Sequence, residues 1–232
     1  MKYLVYTPFR CGSSFVTWFI EKNHDIQAFF PDNIPANNLP TNMVVKTHND
    51  DISALKPRLI FDHVITCIRK PTDIFMSAYI KDFKTPDYPY TYENEPCVKN
   101  VDDMVDHFLS FDWSSFDWCS YDYNFKQIQQ LTDLDIWKLP VDVETGVSYY
   151  PGKPALTIVT HQTLFNDDYF QHFQQFCFAQ FKFKNLTRGV FSYRNADIYD
   201  NLYHIFKSKI PQSFFEKYED LDNQIISKFF DN

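Results

Sequence analysis

Four short runs of apolar and β-branched residues, Tyr3–Tyr6, Met43–Thr47, His63–Ile68 and Ala155–Thr160, constrain this chain more than any other feature. None keeps the strict apolar–polar alternation of a strand with one wet face, so each predicts a strand buried on both sides. Helical spacing follows the first run over Ser13–Lys22. After the third run Pro71 stands at a first helical position, and Thr72–Phe83 continues with the same spacing. Alternation of such strands with helices predicts an α/β domain, a parallel β-sheet flanked by helices on both faces. Further helices are expected at Val101–Phe111, Tyr123–Leu131, Phe165–Phe181, Asp197–Lys209 and Leu221–Phe230, with a helical turn at Asp51–Leu55 ended by Pro57. Pro31–Asn42, Lys84–Val98 and Trp137–Pro154 are rich in Pro, Asn, Tyr or acidic residues and predict irregular structure. No repeat or linker divides the chain, so residues 1–232 are read as one domain.

Composition narrows the function. With 232 residues and 44% hydrophobic content the chain can build a substantial core. Its net charge of −8 argues against nucleic acid as a partner, because no basic stripe exists to displace counterions. A small anion remains compatible, since a few focused cations suffice in a cleft. The five cysteines are scattered without a C-x-x-C pair and read as reduced thiols. No apolar run has the length of a bilayer span and no leader pattern opens the chain, which predicts a soluble cytoplasmic protein without a membrane partner. The seven histidines show no metal-ligand spacing, so no metal is expected.

Between the first strand and its helix lies Pro8-Phe-Arg10-Cys11-Gly12-Ser13-Ser14. A helix start offers unpaired N–H groups and a partial positive charge, and here a cation and two hydroxyls stand beside it, a pattern suited to phosphate. Ser13 and Ser14 are also ordinary helix-capping residues, a use compatible with anion binding. Gly12 permits close backbone approach or a left-handed turn. The triphosphate pattern G-x-x-x-x-G-K-[ST] is absent. Lys46 and His48 are two apart, so on a strand they share a face and bring a cation and a titratable base to a strand's carboxyl end. Arg69 ends the third strand, and Ser77 lies in the second turn of the next helix, where both can reach one phosphate. Pairing of Arg69 with Asp73 is the plain structural alternative.

Taken in order, the loop around Arg10, the Lys46-Thr47-His48 segment and the segment His63–Tyr79 resemble the sulfotransferase family that uses 3′-phosphoadenosine 5′-phosphosulfate. The resemblance covers about the first eighty residues and implies a P-loop-like nucleotide-binding architecture. It implies that Arg10, Cys11, Gly12, Ser13 and Ser14 hold the 5′-phosphosulfate, and that Arg69 and Ser77 hold the 3′-phosphate. It further implies that Lys46 and Arg10 stabilise charge, and that His48 is general base on an acceptor hydroxyl of a small molecule or glycan. Arg188 and Gly189 are similar to a later Arg/Lys-Gly loop of that family, without its tryptophan-bearing continuation. Cys11 as a thiol reads as a bland loop residue. A nucleotide kinase using ATP and a catalytically silent nucleotide-binding protein remain alternatives. The acceptor is not legible; Tyr88, Tyr90, Tyr92, Tyr149 and Tyr150 in the two tyrosine-rich loops are candidates to stack on it.

Overall fold

The run Lys2–Tyr6 forms strand β1, and Tyr3 through Tyr6 have no exposure at all. Successive strand residues point to opposite faces, so complete burial of consecutive positions means that both faces of β1 are covered. The computed structural model describes the chain except for residues 9, 25, 36–38, 49–51, 53–54, 56–58, 85–100, 116–119, 183–195 and 231–232, and the side chains of residues 24, 81–84 and 196–201. After β1 come α1 (Ser13–His24), β2 (Gln27–Phe29), β3 (Met43–Thr47), β4 (His63–Ile68), α2 (Pro71–Lys84), α3 (Val101–Leu109) and α4 (Tyr121–Thr132). The chain continues with β5 (Val147–Tyr150), β6 (Ala155–Thr160), α5 (His161–Phe165), α6 (Asp167–Phe181), α7 (Ala196–Lys209), α8 (Gln212–Lys217) and α9 (Glu219–Phe229).

The strands make one sheet in the order β2-β3-β1-β4-β6-β5. All neighbours run parallel except β5, which pairs antiparallel with β6 from Val147↔Val159 to Tyr150↔Leu156. From β1 the chain first moves to one side of the sheet, through α1 to β2 and β3, and then to the other side, to β4 and β6. Right-handed crossovers running in opposite directions put their helices on opposite faces. One aromatic layer accordingly joins Phe15 and Phe19 of α1 to Phe170 and Phe173 of α6. A second gathers Phe75 and Tyr79 of α2 with Phe108, Trp113, Phe206 and Tyr218. The reversal of direction at β1 makes a topological switch point at the carboxyl ends of β3, β1 and β4, the place where open α/β sheets usually hold a crevice for ligand.

The architecture agrees with the expected α/β sheet, with local corrections. Trp137–Pro154 is not wholly irregular, because Val147–Tyr150 closes the sheet edge as β5. The turn before it uses Gly146 at φ 65°, whose carbonyl accepts from the Thr160 N–H. The helix expected over Phe165–Phe181 is present as α6, Asp167–Phe181, and the short α5, His161–Phe165, precedes it. Asn166, extended at φ −98° and ψ 127°, ends α5 and caps α6 by accepting from the Asp168 N–H. Three-residue β2 and the short α8 carry too little pattern to be read from sequence alone.

Candidate functional site

The loop after β1 is shaped by two residues with positive φ, Arg10 at 64° and Gly12 at 97°. Gly12 is required twice over. A Cβ there would stand 3.0 Å from Leu164 Cδ1 and 3.2 Å from Phe165 Cε2, so α5 packs directly on the loop. Arg10 is unusual in this region, where a non-glycine residue costs about 1–2 kcal/mol. The turn aims its carbonyl at Arg69, whose guanidinium donates to it at 3.0 Å, while Arg10 Nε donates to the buried Ser77 hydroxyl at 3.2 Å. The sites expected for two separate phosphates are thus bridged by one arginine.

On the other side of β1 the first two residues of α1 meet Lys46 of β3 and His48, one residue beyond its end. Lys46 Nζ donates to Ser14 Oγ at 2.5 Å, and His48 Nε2 lies 3.5 Å from Ser13 Oγ. His48 Nδ1 faces the Thr7 carbonyl at 3.3 Å. A carbonyl can only accept, so this contact places the ring proton on Nδ1 and leaves Nε2 as an acceptor facing the Ser13 hydroxyl. The first turn of α1 contains no acidic residue to compete for its N–H groups. By contrast, the amino end of α2 is already occupied: Asp222 accepts from the Thr72 N–H at 3.0 Å and from its hydroxyl at 2.6 Å. Phe30, at the end of β2, is 52% exposed at the rim with its ring 5.5 Å from Lys46 Nζ.

Arg69 is held from several directions. The buried Tyr121 hydroxyl accepts from the Arg69 N–H at 2.7 Å and donates to the Arg69 carbonyl at 2.6 Å, fixing the chain as it leaves β4. The guanidinium lies 5.7 Å from the Tyr203 ring centre, a cation–π arrangement. Tyr203 in turn donates to Asp73, which also pairs with Lys207 at 2.7 Å. Burial pushes the Asp73 carboxyl up, but Lys207 and then Arg69 outweigh it and hold the group below its ordinary value. Asp73 therefore acts on Arg69 through its field while Lys207 is its direct ion-pair partner.

Of the expected site residues, Arg10, Gly12, Ser13, Ser14, Lys46, His48, Arg69 and Ser77 converge on this crevice. Cys11 lies in the same loop, but its side chain has no exposure and its Sγ faces the Tyr121 hydroxyl at 3.5 Å. Burial pushes its thiol up to about 12, so it is no nucleophile. Arg188 and Gly189 lie outside the described residues, as do Tyr88, Tyr90 and Tyr92. Register places Tyr149 and Tyr150 opposite Thr157 and Leu156, toward the amino end of β6 and away from the crevice. Sequence reasoning missed Tyr121, Tyr203 and His161. The last was legible in principle, because it follows a predicted strand directly, as Arg69 does.

Among the described residues no group of three or more His, Cys, Asp or Glu side chains is gathered as a metal would require. No helix of the described residues is long and apolar enough to cross a membrane. No family model matches the chain, nor does any curated protein or solved structure.

Proposed function

We propose that this protein transfers the sulfuryl group of 3′-phosphoadenosine 5′-phosphosulfate to a hydroxyl of a small molecule or glycan. The observation that carries the reading is the pairing of Ser13 with His48 and of Ser14 with Lys46 at an acid-free helix start. A base and a cation there flank the place where a helix would hold an anion. In this reaction the acceptor hydroxyl gives its proton to His48 Nε2 as its oxygen bonds to sulfur. The bond from sulfur to the 5′-phosphate oxygen breaks, and that oxygen keeps the electron pair. Arg10 and Lys46 offset the charge gathering on the leaving phosphate and the transferring group. Arg69 and Ser77, already joined through Arg10, recognise the 3′-phosphate. A silent binder has no need of a base beside the cation at this helix start.

The test is calorimetric binding of 3′-phosphoadenosine 5′-phosphate against AMP, followed by sulfate transfer to phenols, sugars and small alcohols. Loss of one charge-assisted phosphate contact costs about 1.5–3 kcal/mol, so AMP should bind roughly ten- to a hundred-fold more weakly. Arg69→Ala should erase that preference. With a competent acceptor, His48→Ala should lower turnover by about 10²–10⁴ while nucleotide affinity holds. Equal affinity of the wild type for the two nucleotides would refute the cofactor.

A further inference from the structure

His161 stands directly after β6, at the same end of the sheet, and the reaction above does not use it. The β4–β6 ladder ends at Ile68↔Thr160, so Arg69 and His161 leave adjacent parallel strands side by side. The short α5 then carries the imidazole against the loop after β1: its Cδ2 lies 3.8 Å from the place a Gly12 Cβ would take. Phe165, one turn on, stacks against it at 4.4 Å and fixes the ring plane. We propose that His161 is a further anion-contacting residue, closing the β6 side of the crevice opposite Lys46 and His48.

The charges around it favour an anion as occupant. Arg69 at the end of β4 and Arg10 in the loop after β1 both act on the ring, and among the described residues no carboxylate offsets them. Asp73 is the nearest acid behind Arg69, and Lys207 and Tyr203 engage it. Burial, then Arg69, then Arg10 hold His161 well below the ordinary value of a histidine, so without ligand it stays neutral into the acid range. A phosphate or sulfate dianion seated between the two arginines reverses the sign of the local field. His161 then gains a proton, and its N–H joins the donors holding the anion.

This inference rests on the proposed reading only for its choice of nucleotide, and sulfate separates the two. Sulfate remains a dianion through the acid range, so any proton taken up belongs to the protein. Ring resonances of histidine-labelled protein are followed by NMR from pH 8 to 5, in sodium sulfate and in sodium chloride of equal ionic strength. His161→Asn assigns its signal; His161→Phe, which keeps the stacking on Phe165, serves if the first variant does not fold. In sulfate the His161 midpoint should rise by about one pH unit while His63, at the far end of the sheet, stays put. In the His161 variants, binding of 3′-phosphoadenosine 5′-phosphate should weaken as the pH falls toward the His161 midpoint, by at most about tenfold for a one-unit rise, and little at pH 8. A His161 titration identical in the two salts overturns the inference, as does a variant whose affinity loss is independent of pH. A sulfate-dependent rise together with equal binding of 3′-phosphoadenosine 5′-phosphate and AMP upholds it and removes the proposed cofactor instead.

Discussion

Replacing Tyr121 by Phe tests whether helix α4 positions the crevice. Phenylalanine keeps the ring that packs at 5.3 Å from Phe125 and removes one oxygen. That oxygen both accepts from the Arg69 N–H and donates to the Arg69 carbonyl, so its loss leaves two backbone groups without their side-chain partner. A buried group left unpaired costs about 1–3 kcal/mol. Two such groups give roughly 2–6 kcal/mol, and because Arg69 itself is only half-buried, water will reach one of them and bring the expected loss to about 1–3 kcal/mol. That is a large share of the ~5–15 kcal/mol stability of an ordinary domain. Urea unfolding of wild type and variant reads it directly as a lower midpoint with an unchanged slope. Once freed, Arg69 also loses its fixed direction toward Arg10, so the preference for a 3′-phosphorylated nucleotide should fall in the same variant. A midpoint equal to that of the wild type would mean that the Tyr121 bridge does not hold the end of β4, and the account of how Arg69 is placed would fail.

Gly12→Ala puts a Cβ at φ 97° against Leu164 and Phe165. It should destabilise the fold by about 1–3 kcal/mol and abolish nucleotide binding; a fully active alanine variant would show that α5 does not pack on the loop as described. Stability should fall as the pH drops below about 6.5, because His63 and His161 both have folded values depressed by burial, so the unfolded chain takes up protons that the native state refuses. Each histidine contributes a slope of at most ~1.4 kcal/mol per pH unit between its depressed folded value and 6.5, and none above neutrality. Urea midpoints at pH 5.5 and 7.5 measure the slope. His63→Phe, which keeps the stacking on Tyr3 and Phe181, should roughly halve it, and equal wild-type midpoints at both values would contradict the burial argument.

The strands that build the sheet centre were legible because their signal is local. Tyr3–Tyr6, His63–Ile68 and Ala155–Thr160 are buried on both faces, and a residue that never meets water has no reason to alternate. Lys46 and His48 could be placed together for an equally local reason, since two residues on a strand return to the same face. Arg10, Gly12, Ser13 and Ser14 were visible as a loop joining a strand to a helix. The short helix α5 and the edge strand at Val147–Tyr150 were not. A five-residue helix spans little more than one turn of pattern, and a four-residue strand among Pro and Gly becomes a strand only when β6 supplies its partners.

What the chain order alone determined is the set of groups delivered to one end of the sheet: a cation and two hydroxyls after β1, Lys46 and His48 at the end of β3, Arg69 just after β4. Which groups touch was decided by the tertiary structure. Arg10 meets Ser77 across 67 positions of sequence, Tyr121 clamps Arg69 across 52, and His161 reaches the Gly12 loop only because β6 lies beside β4. Strand order and the left-handed turn at Arg10 create those contacts. Neither leaves a mark in the local pattern, because each depends on backbone hydrogen bonds and packing between segments far apart in the chain.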